Sequence, residues 1–446
     1  MTDLTHDNPT KTLLKFSLPM ILSVAFQQIY NIADKVIAGQ YIANGEDAVA
    51  AISASYPVTM IIMAVAFGTN IGCSIVISSL YGAGKNKDVK TAASTSVLIA
   101  LVAGVVISVL AMVLCNPVLR MLNTPDNIFD DTALYLKIYI LGFVFLYLYN
   151  ICTGVFNALG NSRTPLYFLI ASSVGNIILD IVFVVVFDWG VAGVGWATFI
   201  AQGVSSVLSL IALIIEMKKL KTTEKAPVVS LSIFKKIIVF AIPSILQQSF
   251  VSVGSVMIQG LVNGYGSSVV AGYGVAIQLN TFAVTVFNTF SNAVSNFTAQ
   301  NMGSGKADRV RQGFRSALKI IAVVTIPFVV AYAIFGKYMV LLFLKEPTPE
   351  GLSTGIWFLR IVAPFYFSVM IKLVADGVLR GAGVVRFFVI STFSDLLLRV
   401  ALAYVFSPIW GTTGIWLSWP IGWIISTVIA VFFYKKEYWL PHNKIK

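Results

Sequence analysis

Charge is scarce in this chain. Only 11% of its 446 residues are Asp, Glu, Lys or Arg, where a soluble domain carries roughly 25%. There is too little polar side chain to cover a water-facing globule, so a soluble protein is excluded. Histidine is almost missing as well: His6 and His442 both lie close to the ends, which leaves no zinc-spaced cluster and no imidazole for acid–base chemistry. The three cysteines, Cys73, Cys115 and Cys152, fall in or at the ends of apolar runs without metal or redox spacing. They read as packing residues. No Gly-x-x-x-x-Gly-Lys-[Ser/Thr] phosphate loop occurs, so ATP is not expected as the direct energy source. These absences together argue against an enzyme. A secretory signal is not expected either, because the first ten residues are polar and the first apolar run is far longer than a signal's apolar core.

What the chain has instead is long apolar sequence. Hydrophobic residues make up 57% and the mean hydropathy is +0.86. A helix needs about 20 apolar residues to cross the hydrocarbon core of a bilayer. Twelve such runs can be drawn: 14–40, 48–79, 91–115, 131–159, 164–187, 190–216, 234–263, 269–300, 314–336, 352–379, 386–407 and 411–434. A transmembrane barrel would show strands of about 10 residues alternating apolar and polar. Runs as unbroken as Val97–Leu114 and Ile320–Phe335 require helices. The fold class is therefore an all-α polytopic membrane protein of about twelve transmembrane helices.

The net charge of +12 reports topology, not a nucleic-acid partner. Of the 31 lysines and arginines, 23 fall on the side of the chain that carries the N-terminus, in the loops holding Lys85–Lys90, Arg163, Lys218–Lys236, Lys306–Lys319 and Arg380–Arg386 and in both end segments. The opposite loops hold three (Arg120, Lys337, Lys345), and Lys35, Lys137, Arg360, Lys372 and Arg399 lie inside spans. By the positive-inside rule both termini are expected in the cytoplasm.

Lys218–Lys236, the longest polar connection, divides the chain into residues 1–220 and 221–446, with six spans each. The halves repeat at an offset of 221 to 224. Phe16-Ser-Leu-Pro19-Met-Ile-Leu returns as Phe240-Ala-Ile-Pro243-Ser-Ile-Leu. Tyr81-Gly-Ala-Gly-Lys85 returns as Met302-Gly-Ser-Gly-Lys306, and Trp189-Gly190 with Gly193 as Trp410-Gly411 with Gly414. An even number of spans gives both halves the same orientation. They are expected to form two parallel six-helix lobes with the substrate route, a central cavity, between them.

These features resemble the multidrug and toxic compound extrusion (MATE) family over essentially the whole chain. The resemblance rests on the proline-bearing first and seventh spans, the Gly-x-Gly-Lys loops, and Gly160-Asn-Ser-Arg-Thr-Pro165. It also rests on Leu379-Arg-Gly-Ala-Gly383, Asn176-x-x-x-Asp180 and Gly411-x-x-Gly-Ile-Trp416. It implies an antiporter that exports organic cations or amphipathic drugs in exchange for H⁺ or Na⁺ by alternating access. No cofactor is implied, and a monomer in contact with cell-membrane lipids is expected. The resemblance also implies an N-lobe cation site made of Asp34, Asn176, Asp180 and Thr198. The chemistry is coherent without the family. Ionisable residues inside spans are costly and mark function. Two carboxyls in a low-dielectric site cannot both stay ionised cheaply, so one can carry a proton, or their oxygens can ligate a hard cation.

Other polar residues share faces with these. Gln27, Tyr30 and Asn31 precede Asp34 by seven, four and three residues, which puts them on its side of the helix. Asn150, Thr153 and Asn157 form a stripe on span four, and Gln202 follows Thr198 by one turn. All seven are candidates to line the substrate cavity. Lys35 adjoins Asp34 in sequence and could salt-bridge it. In the second half, Lys372 with Asp376 and Asp395 with Arg399 stand four apart, a spacing that permits intrahelical ion pairs. Some members of the family place a cation site there. Asp376 is a candidate for it, but span seven has no acid and offers only Gln247, Gln248 and Gln259. Arg163 and Arg380 are expected as loop or lipid-headgroup anchors, and Pro19 as a bend that could couple protonation to the shape of the cavity. The alternative reading is a lipid-linked oligosaccharide flippase. It would need a cavity rich in Arg and Lys, and the basic residues inside spans are few and partly paired.

Overall fold

The computed structural model describes residues 3–42, 45–344 and 347–440. Lys345, His442, Lys444, Lys446 and the side chain of Lys35, with its proposed pairing to Asp34, lie outside the described residues.

Long apolar runs become long helices because a backbone in lipid must satisfy its hydrogen bonds internally. In chain order these are α1 (Pro9–Tyr41), α2 (Gly45–Gly82), α3 (Asn86–Met121), α4 (Asp126–Ala158), α5 (Arg163–Val186), α6 (Gly190–Lys219), α7 (Leu231–Asn263), α8 (Ser267–Gly303) and α9 (Ala307–Ile334). A short helix, Gly336–Leu341, precedes α10 (Pro349–Gly381), which passes through a 3-10 turn at Ala363–Phe365. The last helical stretch, Val385–Lys435, is two helices. Gly411 inside it takes φ 59° and ψ −141°, outside helical space, so α11 covers 385–410 and α12 covers 412–435. Among the described residues twelve membrane-length segments result, at the places the apolar runs predict.

The described residues form two compact units. One is Leu18–Gln248; the other joins Asp3–Ser17 to 249–440. In the first unit, α2 and α6 pack on α4 over a core that includes Phe143, Tyr147, Ile151 and Phe156. The start of α7 belongs here. A Cβ on Gly72 would come within 2.8 Å of the Ile237 carbonyl oxygen, and one on Gly68 within 2.5 Å of Ile245 N. The polar connection before α7 is laid against α3. Asn86 Nδ2 donates to Lys221 O at 3.2 Å, Ser94 Oγ to Val228 O at 2.7 Å and Ser230 N to Thr95 Oγ1 at 3.2 Å. Lys87 also pairs with Glu224. That hydrogen bond and the lysine's charge hold the exposed Glu224 carboxyl below its ordinary range.

The second unit packs α10 on α8 and on α11–α12. Its centre is aromatic: Tyr273 stacks on Trp416 at 5.0 Å, and Phe358 meets Trp416 edge-on at 5.2 Å. The polar N-terminal segment is held in this unit by α8 and α9. Asn301 Nδ2 donates to Leu4 O at 2.9 Å, Lys306 Nζ to Thr5 O at 2.8 Å and Thr10 Oγ1 to Ser316 Oγ at 2.9 Å.

Backbone conformation carries the repeat. Gly84 and Gly305 take φ 71° and 73°, Gly160 and Gly383 take 77° and 83°, and Gly190 and Gly411 take 56° and 59°. Each pair is 221 or 223 residues apart, and each glycine adopts the left-handed conformation that L side chains resist. The helices also touch at matching places. A Cβ on Gly154 of α4 would strike Asn70 Oδ1 of α2 at 2.5 Å, and one on Gly377 of α10 would meet Ser291 O of α8 at 2.8 Å.

One turn on from Gly377, a Cβ on Gly381 would lie 2.3 Å from the Ser295 carbonyl oxygen. Gly381→Ala is therefore expected to destabilise the protein by about 1–3 kcal/mol through overpacking. Gly274→Ala, where nothing stands within 4 Å, should leave stability unchanged or raise it by up to ~1 kcal/mol through helix propensity. Thermal melts of the two detergent-solubilised variants decide this, and equal melting temperatures would refute the close approach of α8 and α10.

Candidate functional site

The polar residues of the first unit converge where α1, α4, α5 and α6 meet. Asp34 on α1 is 9% exposed and Asp180 on α5 is fully buried. Their carboxyl groups are neighbours that interact with each other. Two ionised carboxylates have only acceptors to offer, so this contact is favourable only with a proton or a cation between them. Neither forms an ion pair within 4 Å among the described residues.

Their neighbours leave further polar atoms open. Asn176, one turn before Asp180 on the same face, and Thr198 on α6 are buried. Asp34 Oδ1, both Asp180 oxygens, both amide atoms of Asn176 and Thr198 Oγ1 have no hydrogen-bond partner among the described residues. Buried polar atoms are rarely left so. All four residues share this condition. On the same helices Ile37 and Ala38 of α1, Tyr135 of α4, Val184 of α5 and Val191 and Val194 of α6 form one buried apolar cluster. Burial among apolar side chains strengthens every charge interaction.

Local backbone shape singles out the same place. Directly after Asp180 the helix loosens into a π-helical stretch, Ile181–Val186, a form that is rare and concentrated at functional sites. Phe187 N then donates to Val182 O at 3.0 Å across five residues.

The other candidates divide. Gln27 and Tyr30 share the Asp34 face and are half-buried. Asn31 is exposed and donates to Gln28 Oε1 at 3.3 Å. Asn150 turns its amide back to its own helix, donating to Leu146 O at 2.9 Å. Asn157 is buried with Oδ1 unpartnered, and Thr153 is half-buried one turn before it. Gln202 stands where α6 passes Gly142 of α4: a Cβ there would lie 3.5 Å from its Oε1. Sequence reasoning missed Tyr135. It interacts electrostatically with Asp34, Tyr30 and Asp180, but a lone tyrosine in an apolar run carries no sign of this.

In the second unit Lys372 reaches both acids, Asp376 Oδ2 at 3.4 Å and Asp395 Oδ2 at 3.5 Å. The Lys372–Asp376 spacing thus gives its pair. The Asp395–Arg399 spacing does not, because the ammonium from α10 takes Asp395 while Arg399 lies over the Trp419 ring at 4.2 Å. Arg380 corrects the headgroup expectation. It is 5% exposed, donates to Asn292 Oδ1 at 2.7 Å and covers Phe388 at 5.3 Å, so it ties α10 to α8 and α11. Arg163 is exposed. Cys73, Cys115 and Cys152 are buried and free, as packing residues should be. Among the described residues no group of His, Cys, Asp and Glu is arranged to hold a metal.

The MatE family model matches the chain twice, over residues 19–182 and 243–405. The two starts are 224 residues apart, the offset at which the sequence repeats. The chain is 30% identical to a probable multidrug resistance protein, YpnP of Bacillus subtilis (strain 168), across 98% of this chain and 97% of that protein. It is 25% identical to a protein of Shewanella oneidensis called an FAD transporter, across 92% and 91%. Among solved structures it resembles an outward-facing multidrug resistance MATE family transporter of the MOP superfamily. The TM-score there is 0.91 at 21% identity, covering 99% of this chain and 98% of the other. With its duplicated helical fold and a model match to each half, the chain belongs to the multidrug and toxic compound extrusion family, integral membrane transporters that carry small molecules and are not enzymes.

Proposed function

We propose that this efflux transporter is a secondary active antiporter, exporting organic cations or amphipathic drugs against inward movement of H⁺ or Na⁺ at the Asp34–Asp180 pair. One observation carries the reading: two buried, interacting carboxyls, without a described basic partner, amid unpartnered atoms of Asn176 and Thr198. A proton bridging the pair removes one of the two charges. A sodium ion would find oxygens from Asp34, Asn176, Asp180 and Thr198. Either guest is held tightly when the site is closed and exchanges when water reaches it, which is what coupling requires. Gln27, Tyr30, Asn31, Asn150, Thr153, Asn157 and Gln202 are assigned to the substrate path. Asp376 is assigned a structural role, because Lys372 already neutralises it.

The lysine and arginine distribution supports cytoplasmic termini in the cell membrane, and the protein is taken to act there as a monomer among its lipids. The flippase alternative is disfavoured. It needs a basic cavity for pyrophosphate, whereas the first unit concentrates acid, and the Lys372 ammonium in the second is shared between two carboxylates.

The test is efflux of a fluorescent organic cation from proteoliposomes under an imposed pH gradient and, separately, a Na⁺ gradient. One gradient should drive export of the dye and the other should not. If neither moves the dye with folded protein, the antiporter reading fails.

A further inference from the structure

The second unit buries a charge it does not pair. Lys372, Asp376, Asp395 and Arg399 are each at most 8% exposed. The Lys372 ammonium serves both carboxylates. Among the described residues Arg399 is left with no carboxylate within 4 Å, although Asp395 lies one turn before it on α11, and its guanidinium rests on the face of Trp419 from α12. Gly422 allows this packing: a Cβ there would already stand 3.2 Å from Asp395 Oδ1 and 3.5 Å from Arg399 Cβ.

Both stacked groups have an unused donor. Arg399 Nε and Trp419 Nε1 are buried without an acceptor among the described residues. Guanidinium and indole are donor-only groups, so what satisfies them must be an acceptor, and a buried cation calls for a charged one. The four ionisable side chains sum to zero, yet the charge not matched locally is Arg399. A flat guanidinium fork beside an N–H is the arrangement that recognises the two oxygens of a carboxylate or of a phosphate. A role as helix glue would have used these donors on neighbouring carbonyls.

We propose that Arg399 and Trp419 form an anion-recognising subsite that selects substrates bearing a carboxylate or a phosphate. The inference deepens the efflux reading and rests on it: the exported molecules include amphipathic anions and zwitterions, and unit 2 supplies the contact for their negative group.

Matched probes test it with the full-length protein in lipid nanodiscs. A cationic rhodamine ester and its free-acid zwitterion differ only in the carboxylate; riboflavin and flavin mononucleotide differ only in the phosphate. Wild type should bind the charged member of at least one pair about tenfold more tightly than its neutral-ended partner, the order of one hydrogen bond to a charged group. The pair that shows the preference identifies which anion the site takes. In Arg399→Gln the ratio should fall to one. In Trp419→Phe, which keeps the ring and removes only the N–H, it should fall about threefold. Wild type binding both members of each pair equally would overturn the subsite, as would a ratio that survives Arg399→Gln, and so would folded protein that binds none of the four probes. Failure of every gradient to move the ester dye would count against the efflux reading alone, since the binding ratios judge the subsite separately.

Discussion

Asp180→Asn is expected to lower gradient-driven efflux by about 100-fold or more, the scale on which losing a proton-transferring side chain registers. The substitution is nearly isosteric at a fully buried position, so packing should survive, and the amide can even donate to Asp34. What it cannot do is exchange a proton or present a second negative oxygen. With Asp34 as sole acid, the site no longer has a doubly charged state, and the cycle has nothing to discharge. Asp34→Asn should produce the same loss for the same reason. Asn176→Ala should cost less, because it removes a neighbour of the guest and leaves both carboxyls. Dye efflux from proteoliposomes is the measurement, with a melting curve to show that each variant is folded. An Asp180→Asn protein that still accumulates dye against a gradient would move the coupling site elsewhere in the chain.

The sequence made this site visible because lipid is an unforgiving solvent. Asp34 and Asp180 could be picked out of apolar runs, since an acid facing hydrocarbon would be expelled. That α1, α5 and α6 would meet at these residues was implied by the family resemblance and not by the polar faces themselves. Helix number was legible for a related reason, and the break between α11 and α12 announced itself at Trp410-Gly411, where the backbone is left-handed. Partners were not legible. Helical periodicity says which face is buried, not against what, so it could not show that Asp3–Ser17 packs with the second unit or that the start of α7 packs with the first. The same limit hid the burial of Arg380 and the role of Tyr135. The π-helical stretch at Ile181–Val186 is a run of branched and aromatic apolar residues no different in composition from its neighbours. Its hydrogen-bond slip depends on tertiary fit.

Lys372→Met is expected to destabilise the protein by about 3–5 kcal/mol, the cost of stripping one partner from a buried ion cluster. Met nearly matches the length and volume of the lysine stem, so the loss would not come from a cavity. It would come from Asp376 and Asp395, each left at no more than 6% residue exposure without the ammonium that both now share. The Thr392 hydroxyl still donates to Asp376, but at a long 3.5 Å. A cavity and a stranded charge predict different rescue. If charge is the cause, adding Asp376→Asn and Asp395→Asn to Lys372→Met should restore most of the melting temperature, since a neutral network can replace a broken ionic one. If the lysine stem is the cause, the triple variant should be no better than the single one. Full rescue would also separate this cluster from the energy-coupling site: a triple variant that still exports dye under a gradient would show that the acids of α10 and α11 hold the second unit together while Asp34 and Asp180 drive the cycle.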